Sequence, residues 1–290
     1  MPTEPAQLAL ALFEVCLLLA GAGLVLWVVF TRAARTRWLG TNALPLSAMG
    51  LADLILCGVL ILLTGFAGQA VAQLSLGTII ARAHDHQGLA LFVYSMANYA
   101  GAFLAWRFLF PSLRRSWALH STPPLPASRA PALPWLIALR YAAGTLLVVL
   151  PLLAAISLGW NFLVEKMHLP NAPQDVIAIF ANTRSPLVIT GMLLVACVLA
   201  PIYEELLFRA GLYRFCRQKL GRGWALLISG ICFGALHANV AGFVPLAMLG
   251  MGLALAYEAT GSIRVPIIAH GLFNLNTVLI LLSGLKDLAT

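Results

Sequence analysis

Residues 186–212 read PLVITGMLLVACVLAPIYEELLFRAGL, and this stretch decides the fold class. Its first 18 residues carry no charge, which is enough chain to cross most of a hydrocarbon layer about 30 Å thick as a helix. Two glutamates and an arginine then follow within six residues. Because a charge at the centre of a membrane helix costs about 2.5 to 3.5 kcal/mol on insertion scales, these residues need partners or a function.

The whole chain has the same apolar character. Of its 290 residues 61% are hydrophobic and 10% are charged, and the mean hydropathy is +0.92. A soluble domain carries roughly 25% charged residues, so this class is excluded. We predict an all-α, polytopic transmembrane bundle, because nothing alternates like a barrel strand and membrane backbone must be paired within its segment. About eight spans are predicted, near residues 6–30, 46–70, 88–110, 134–162, 186–212, 223–241, 243–260 and 265–284.

The net charge of +8 is interpreted as an orientation signal. With eight alternating spans, 13 basic residues fall on one side and 4 on the other, and Arg209 lies inside a span. The positive-inside rule places the 13 in the cytoplasm. We therefore expect a multi-pass protein of the plasma membrane with both termini outside the cytoplasm, and no nucleic-acid partner is needed to explain the charge.

A proline-rich segment divides the chain. Residues 111–133 hold five prolines among basic residues, which rules out a continuous helix and predicts a cytoplasmic linker. It separates an N-terminal three-span region of unknown role, residues 1–110, from a five-span region, residues 134–290, whose polar motifs lie within 185–280. No internal repeat relates the two regions.

The polar residues of the rear region share helical faces. Glu205 and Arg209 are four residues apart, so they can form an ion pair on one face. Glu204 points about 100° away and is free to project into a cavity. The later steps Phe233-Gly-Ala-Leu-His237 and His270-Gly-Leu-Phe-Asn274 again use a four-residue spacing. We expect these groups to meet in one polar pocket.

Such a pocket suits amide hydrolysis. A carboxylate beside a histidine can activate water as a general base, and an imidazole and an amide can donate hydrogen bonds to the oxyanion. The same Glu204, His237 and His270 could instead hold Zn²⁺ with water as the fourth ligand. The residues alone leave both versions open. No HExxH motif and no pair of intramembrane aspartates supports another hydrolase plan.

Two other functions fit part of the pattern. A non-catalytic membrane scaffold or immunity protein would use the polar groups to bind a partner through its helices. A transporter would use them to relay protons, but the missing internal repeat argues against it. Outside the pocket, we expect Glu14 and Asp53 to be structural or interfacial and Glu258 to be solvated.

If the helices are straight, His237 and His270 lie at different depths in the membrane. His237 lies about 22 Å along its helix from the preceding basic loop, whereas His270 lies about 9 Å past Arg264. A shared pocket therefore requires tilted or irregular helices, which is tolerated inside protein but not against lipid.

The order and spacing of the motifs resemble those of one family. The motifs are Glu204-Glu205-x-x-x-Arg209, Phe233-x-x-x-His237 and His270-x-x-x-Asn274, on successive helices. They are similar to those of the CPBP family, which comprises the type II CAAX prenyl endopeptidases and bacterial proteins related to bacteriocin self-immunity and abortive infection. The resemblance covers roughly residues 185–280 and leaves the front region unexplained.

The resemblance implies a glutamate-dependent intramembrane protease, often described as a metalloprotease, that cleaves near the cytoplasmic face. Glu204 would be the base that activates water together with His237. His270 and Asn274 would bind the oxyanion.

The same resemblance implies supporting residues and a substrate class. The pair Glu205 and Arg209 would orient the site and balance its charge. The substrate would be a peptide or protein, including a lipid-anchored tail, reached from the membrane lipid or the cytoplasm.

Overall fold

A computed structural model describes residues 4–39, 44, 50–109, 133–170, 183 and 185–283. In these ranges the chain forms helices and no strand, so the predicted all-α fold class is confirmed. Residues 111–132 of the predicted linker lie outside the described residues, and the division into two regions stays a prediction.

Nine helices follow one another in the described part of the chain. They are α1 (Glu4–Phe30), α2 (Arg32–Leu39), α3 (Leu51–Ile80), α4 (His86–Leu104), α5 (Trp135–Lys166), α6 (Pro186–Leu220), α7 (Arg222–Leu236), α8 (Val240–Thr260) and α9 (Arg264–Ser283). A π-helical turn, Ala105–Leu109, continues α4.

Seven of these helices are long and apolar enough to cross a membrane, rather than the eight predicted. The exception is α7, whose 15 residues extend only about 22 Å. It ends at Leu236 because the chain turns: Ala238 has φ = 48°, and the Asn239 side chain accepts a hydrogen bond of 2.6 Å from the Gly242 N–H to begin α8. The span predicted at 223–241 is therefore shorter than expected, and the orientation of the termini stays a prediction.

The helices of the rear region approach closely where glycine permits it. In the antiparallel pair α7 and α8, a Cβ on Gly230 or Gly234 would lie 2.7 or 2.6 Å from a backbone oxygen of α8. A Cβ on Gly271 of α9 would lie 2.4 Å from the Cys197 carbonyl oxygen of α6. Small residues at such contacts are typical of membrane helix packing. The contact at Gly271 places α9 against the polar segment of α6.

Glu258 is fully buried, so the prediction that it is solvated is wrong. Its Oε1 lies 2.8 Å from Arg217 Nε, its Oε2 lies 3.0 Å from Arg222 Nε, and the Tyr213 hydroxyl donates to it at 2.5 Å. Two guanidinium groups thus replace the water that the carboxylate would otherwise need. The cluster joins α6, α7 and α8 at their basic ends.

The two acidic residues of the front region have structural contacts, as expected. Glu14 is only 6% exposed, and the Asn276 amide of α9 donates to it at 3.3 Å. Asp53 accepts from the Gly50 N–H at 2.9 Å and caps the start of α3. The first contact ties the front region to the last helix.

The glycine contact between α9 and α6 can be tested by adding one methyl group. Gly271→Ala should lower the unfolding temperature in detergent, because the new Cβ meets backbone that cannot move aside, and overpacking costs about 1–3 kcal/mol. The matched control is Gly159→Ala in α5, where nothing lies within 4 Å of the new Cβ. Equal unfolding temperatures for both variants would contradict the close approach.

Candidate active site

The backbone of α6 leaves α-helical geometry on both sides of the paired glutamates. Its π-helical turns are Val195–Leu199 and Leu206–Tyr213. The Ala200 N–H donates to the Val195 carbonyl, five residues back, and the Arg214 N–H reaches the Arg209 carbonyl in the same way. Few helices contain a π turn, and the π turns that do occur are often at functional sites. Glu204 and Glu205 lie on the short α-helical segment between them.

Pro201 explains one polar contact of the site. In the π register the Ala196 carbonyl would accept from the N–H of residue 201, which proline lacks. The Asn274 amide of α9 donates to this carbonyl instead, at 2.7 Å. One of the two amide hydrogens of Asn274 is thereby used, and the other stays available.

Glu205 and Arg209 form the ion pair that their spacing predicts. The Arg209 Nε lies 3.0 Å from Glu205 Oε2, and both side chains are 0% exposed. The guanidinium also donates to the Gly250 carbonyl of α8 at 3.0 Å and lies 4.6 Å from the ring centroid of Phe233 of α7. Arg209 therefore links three helices around the buried carboxylate.

His270 lies between the two glutamates. Its Nδ1 is 3.0 Å from Glu205 Oε1, and its Nε2 is 3.9 Å from Glu204 Oε2. Because a carboxylate can only accept, Nδ1 carries a hydrogen, and in the tautomer whose single hydrogen is on Nδ1 the lone pair is on Nε2. Glu204 is 20% exposed, and its Oε2 is buried without a hydrogen-bond partner.

His237 lies at the end of α7 and pairs with its own helix. Its Nδ1 donates to the Phe233 carbonyl at 2.8 Å, so Nε2 carries the lone pair. Among the described residues no hydrogen bond or ion pair joins His237 to Glu204. The imidazole nearest to the Glu204 carboxylate is that of His270. The pairing of Glu204 with His237 that the resemblance implies stays a prediction.

The two histidines nevertheless belong to one neighbourhood. The ring of Phe233 packs against both imidazoles, with centroid distances of 5.0 Å to His237 and 5.5 Å to His270. Straight helices would place the two histidines at different depths. In the structure, both rings contact the same phenylalanine. The π turns lie in α6, which carries neither histidine, so the tilt or irregularity expected of the two histidine helices stays a prediction.

The donor groups do not come together as a metal site. Within the described part of the chain, no three His, Cys, Asp or Glu side chains are grouped so that they could hold a metal ion. The zinc alternative for Glu204, His237 and His270 does not fit this arrangement. The proposed hydrolysis therefore uses only side chains of the protein and a water molecule.

Part of the chain is similar to known proteins. Residues 186–276 match the family model described as type II CAAX prenyl endopeptidase Rce1-like, and all six predicted site residues lie in this range. A Bacillus subtilis protein named "Putative membrane peptidase YdiL" is 31% identical over 96 residues, 33% of this chain and 39% of that protein's length. No solved structure gives a significant match. The predicted resemblance to the CPBP family is confirmed for the matched region.

The buried ion pair makes a stability prediction. Arg209→Met should leave the Glu205 carboxylate buried without its cation, which costs about 3–5 kcal/mol, and should lower the unfolding temperature strongly. The double variant Glu205→Gln/Arg209→Met removes both charges and should recover most of the loss. Thermal unfolding in detergent measures both effects. A single variant as stable as the unmodified protein would show that the pair does not balance a buried charge.

Proposed function

We propose that this protein is an intramembrane endopeptidase that hydrolyses a peptide bond with a water molecule activated by Glu204 and His270. The observation that carries the proposal is the placement of one imidazole between two carboxylates of which only one is neutralised. Glu205 has the Arg209 guanidinium at 3.0 Å, whereas the ion-pair partner of Glu204 is His270 at 3.9 Å. The family match supports a membrane peptidase in general.

The distance between Glu204 and His270 suits a bound water. At 3.9 Å the carboxylate oxygen and Nε2 are too far apart for a direct hydrogen bond, but one water can bridge them. Since both atoms are acceptors, the water would donate one hydrogen to each and keep a lone pair free for the substrate carbonyl. Glu204 would then take the proton as general base and return it to the departing amine.

Glu205 and Arg209 act in this proposal as positioning residues. The Glu205 carboxylate fixes the tautomer and the orientation of His270, as a third group does in other hydrolytic sites. Arg209 is the buried counter-charge of the Glu205 carboxylate, at 3.0 Å. Without this support, Nε2 of His270 would not be held ready to accept a hydrogen bond from the water.

Asn274 and His237 complete the proposed mechanism. The free amide hydrogen of Asn274 would donate to the oxyanion that forms on the substrate carbonyl. His237 has its lone pair on Nε2 and would accept a hydrogen bond from a substrate amide N–H. His237 thereby serves substrate alignment rather than the activation of water.

The substrate would be a peptide or protein segment that reaches the site from the lipid or from the cytoplasm, including a lipid-anchored tail. The matched relative shares only 39% of its length with this chain, so its printed activity supports the reaction type and not a particular substrate. Residence in the plasma membrane, with basic loops in the cytoplasm, belongs to the same proposal.

The test of the function is Glu204→Gln, which keeps the shape of the side chain and removes the base. We expect cleavage to fall at least about 100-fold, since the general-base contribution is typically 10²–10⁴-fold. Purified protein in liposomes is offered a farnesylated CAAX peptide, its non-lipidated copy and a set of transmembrane peptides, and products are read by mass spectrometry. Glu165→Gln, an exposed carboxylate at the end of α5, is the matched control. Full cleavage by Glu204→Gln would remove Glu204 from the reaction and overturn the proposal.

Removal of divalent metal should leave activity unchanged. Because the described acidic and histidine side chains are not grouped as metal ligands, cleavage should persist after treatment with 1,10-phenanthroline or EDTA. Elemental analysis of the purified protein accompanies the assay. Loss of cleavage on chelation, with recovery on adding Zn²⁺, would contradict the metal-free mechanism.

A further inference from the structure

Helix α4 of the front region lies along α6 up to the candidate active site. Gly88 packs against Val188, the ring of Phe92 lies directly on Gly191, and Tyr99 meets Tyr203. The residue numbers rise together, so the two helices run in the same direction through these contacts. The front region, which lies outside the matched family range, thus reaches the residue beside Glu204.

The rotation of α6 directs Glu204 toward this contact. Successive side chains leave a helix about 100° apart. Tyr203 faces α4, because its ring meets Tyr99, and Glu205 faces α9, because it contacts His270. Glu204, between them in sequence, therefore projects into the angle between α4 and α9. The helices on the two sides of Glu204 are therefore α9 and α4.

Tyr99 is the residue of α4 on this side of Glu204. Its ring is edge-on to that of Tyr203, with centroids 5.5 Å apart and planes at 73°. Tyr203 directly precedes Glu204 in α6, so the ring of Tyr99 packs against the neighbour of the carboxylate. A phenol hydroxyl is both donor and acceptor, and at neutral pH it keeps its hydrogen. Tyr99 therefore brings a hydrogen-bond donor to a pocket whose other groups are mainly acceptors.

The position of Tyr99 is fixed by the packing of α4 on α3. Gly101 lies against the Thr64 carbonyl and Gly68 lies against the Ala97 carbonyl, so the backbones are in direct contact. Asn98, the neighbour of Tyr99, is turned to Gly65 of α3. With α3 on one side and α6 on the other, α4 presents Tyr99 in a defined place. Such preorganisation is what makes a donor effective in a transition state.

We propose that Tyr99 is a catalytic residue supplied by the front region. Its hydroxyl donates a hydrogen bond to the substrate carbonyl oxygen from the α4 side of the pocket, and this bond strengthens as the oxyanion forms. No covalent bond to Tyr99 is made, and its proton stays on the phenol. The inference rests on the proposed peptidase function and gives the first three spans a role in it.

The test is Tyr99→Phe, which keeps the ring contact with Tyr203 and removes only the hydroxyl. We expect kcat to fall roughly 10- to 100-fold with little change in KM, because a donor to the oxyanion acts in the transition state. Tyr94→Phe is the matched control, since Tyr94 is on the same helix but its hydroxyl faces Gly77 of α3. Both variants are compared with the unmodified protein on the peptide that it cleaves, and thermal unfolding confirms that both are folded.

The outcomes separate this inference from the function itself. A normal kcat for Tyr99→Phe, or a change confined to KM or to thermal stability, would show that Tyr99 only packs, while Glu204→Gln would still be inactive. Equal losses in Tyr99→Phe and Tyr94→Phe would also overturn the inference. Cleavage by Glu204→Gln would instead overturn the proposed function, whatever Tyr99 does.

Discussion

The buried negative charge of Glu205 is the constraint on which the rear region depends. A carboxylate that is 0% exposed inside a membrane protein is tolerable only with partners on all sides. Arg209 supplies the counter-charge and His270 supplies the second hydrogen bond. Arg209 also reaches the Gly250 carbonyl, so one charge ties α6, α8 and α9 to each other. The hydrogen bond to this buried carboxylate therefore fixes the position of the His270 ring.

Three successive residues of α6 point in three different directions. Tyr203 meets the front region, Glu204 faces the pocket, and Glu205 meets α9. Neighbouring side chains of a helix point about 100° apart. One turn of α6 can therefore contact α4, present a reactive group and contact α9. Through the contact of Tyr99 with Tyr203, the front region reaches the residue next to Glu204. Glu14 adds a second connection, through Asn276, between the first helix and the last.

Local spacing predicted the contacts within one helix, and it failed where contacts between helices decide the outcome. The Glu205–Arg209 pair could be predicted because a four-residue step closes it whatever surrounds it. The 3.9 Å contact of Glu204 with His270 could not be predicted in this way, because it depends on how near α9 comes to α6. The distance between α9 and α6 is set by the contact of Gly271 with Cys197 and by the two π turns of α6. These features leave no mark on the hydrophobic pattern of the sequence.

The same limit explains the other differences. Glu258 looked like an exposed acid near a helix end, but Arg217 and Arg222, which are distant from it in sequence, bury it. Only the basic residues flanking Gly221 hinted at such a cluster. Helix α7 was predicted too long because apolar residues continue past Leu236, whereas the turn at Ala238 ends it. Tyr99 carries no motif, and only its position beside Tyr203 draws attention to it.

The π turn at Val195–Leu199 has a consequence for how this helix can vary in evolution. A π turn holds one residue more than the α-helical turn that it replaces, so losing a single codon there would restore regular winding and leave the residues downstream facing nearly the same way. Tyr203 would keep its aromatic neighbour, and Glu204 would still face the imidazole. The same deletion in the regular winding of Ala200–Glu205 would instead turn every later residue of α6 by about 100°.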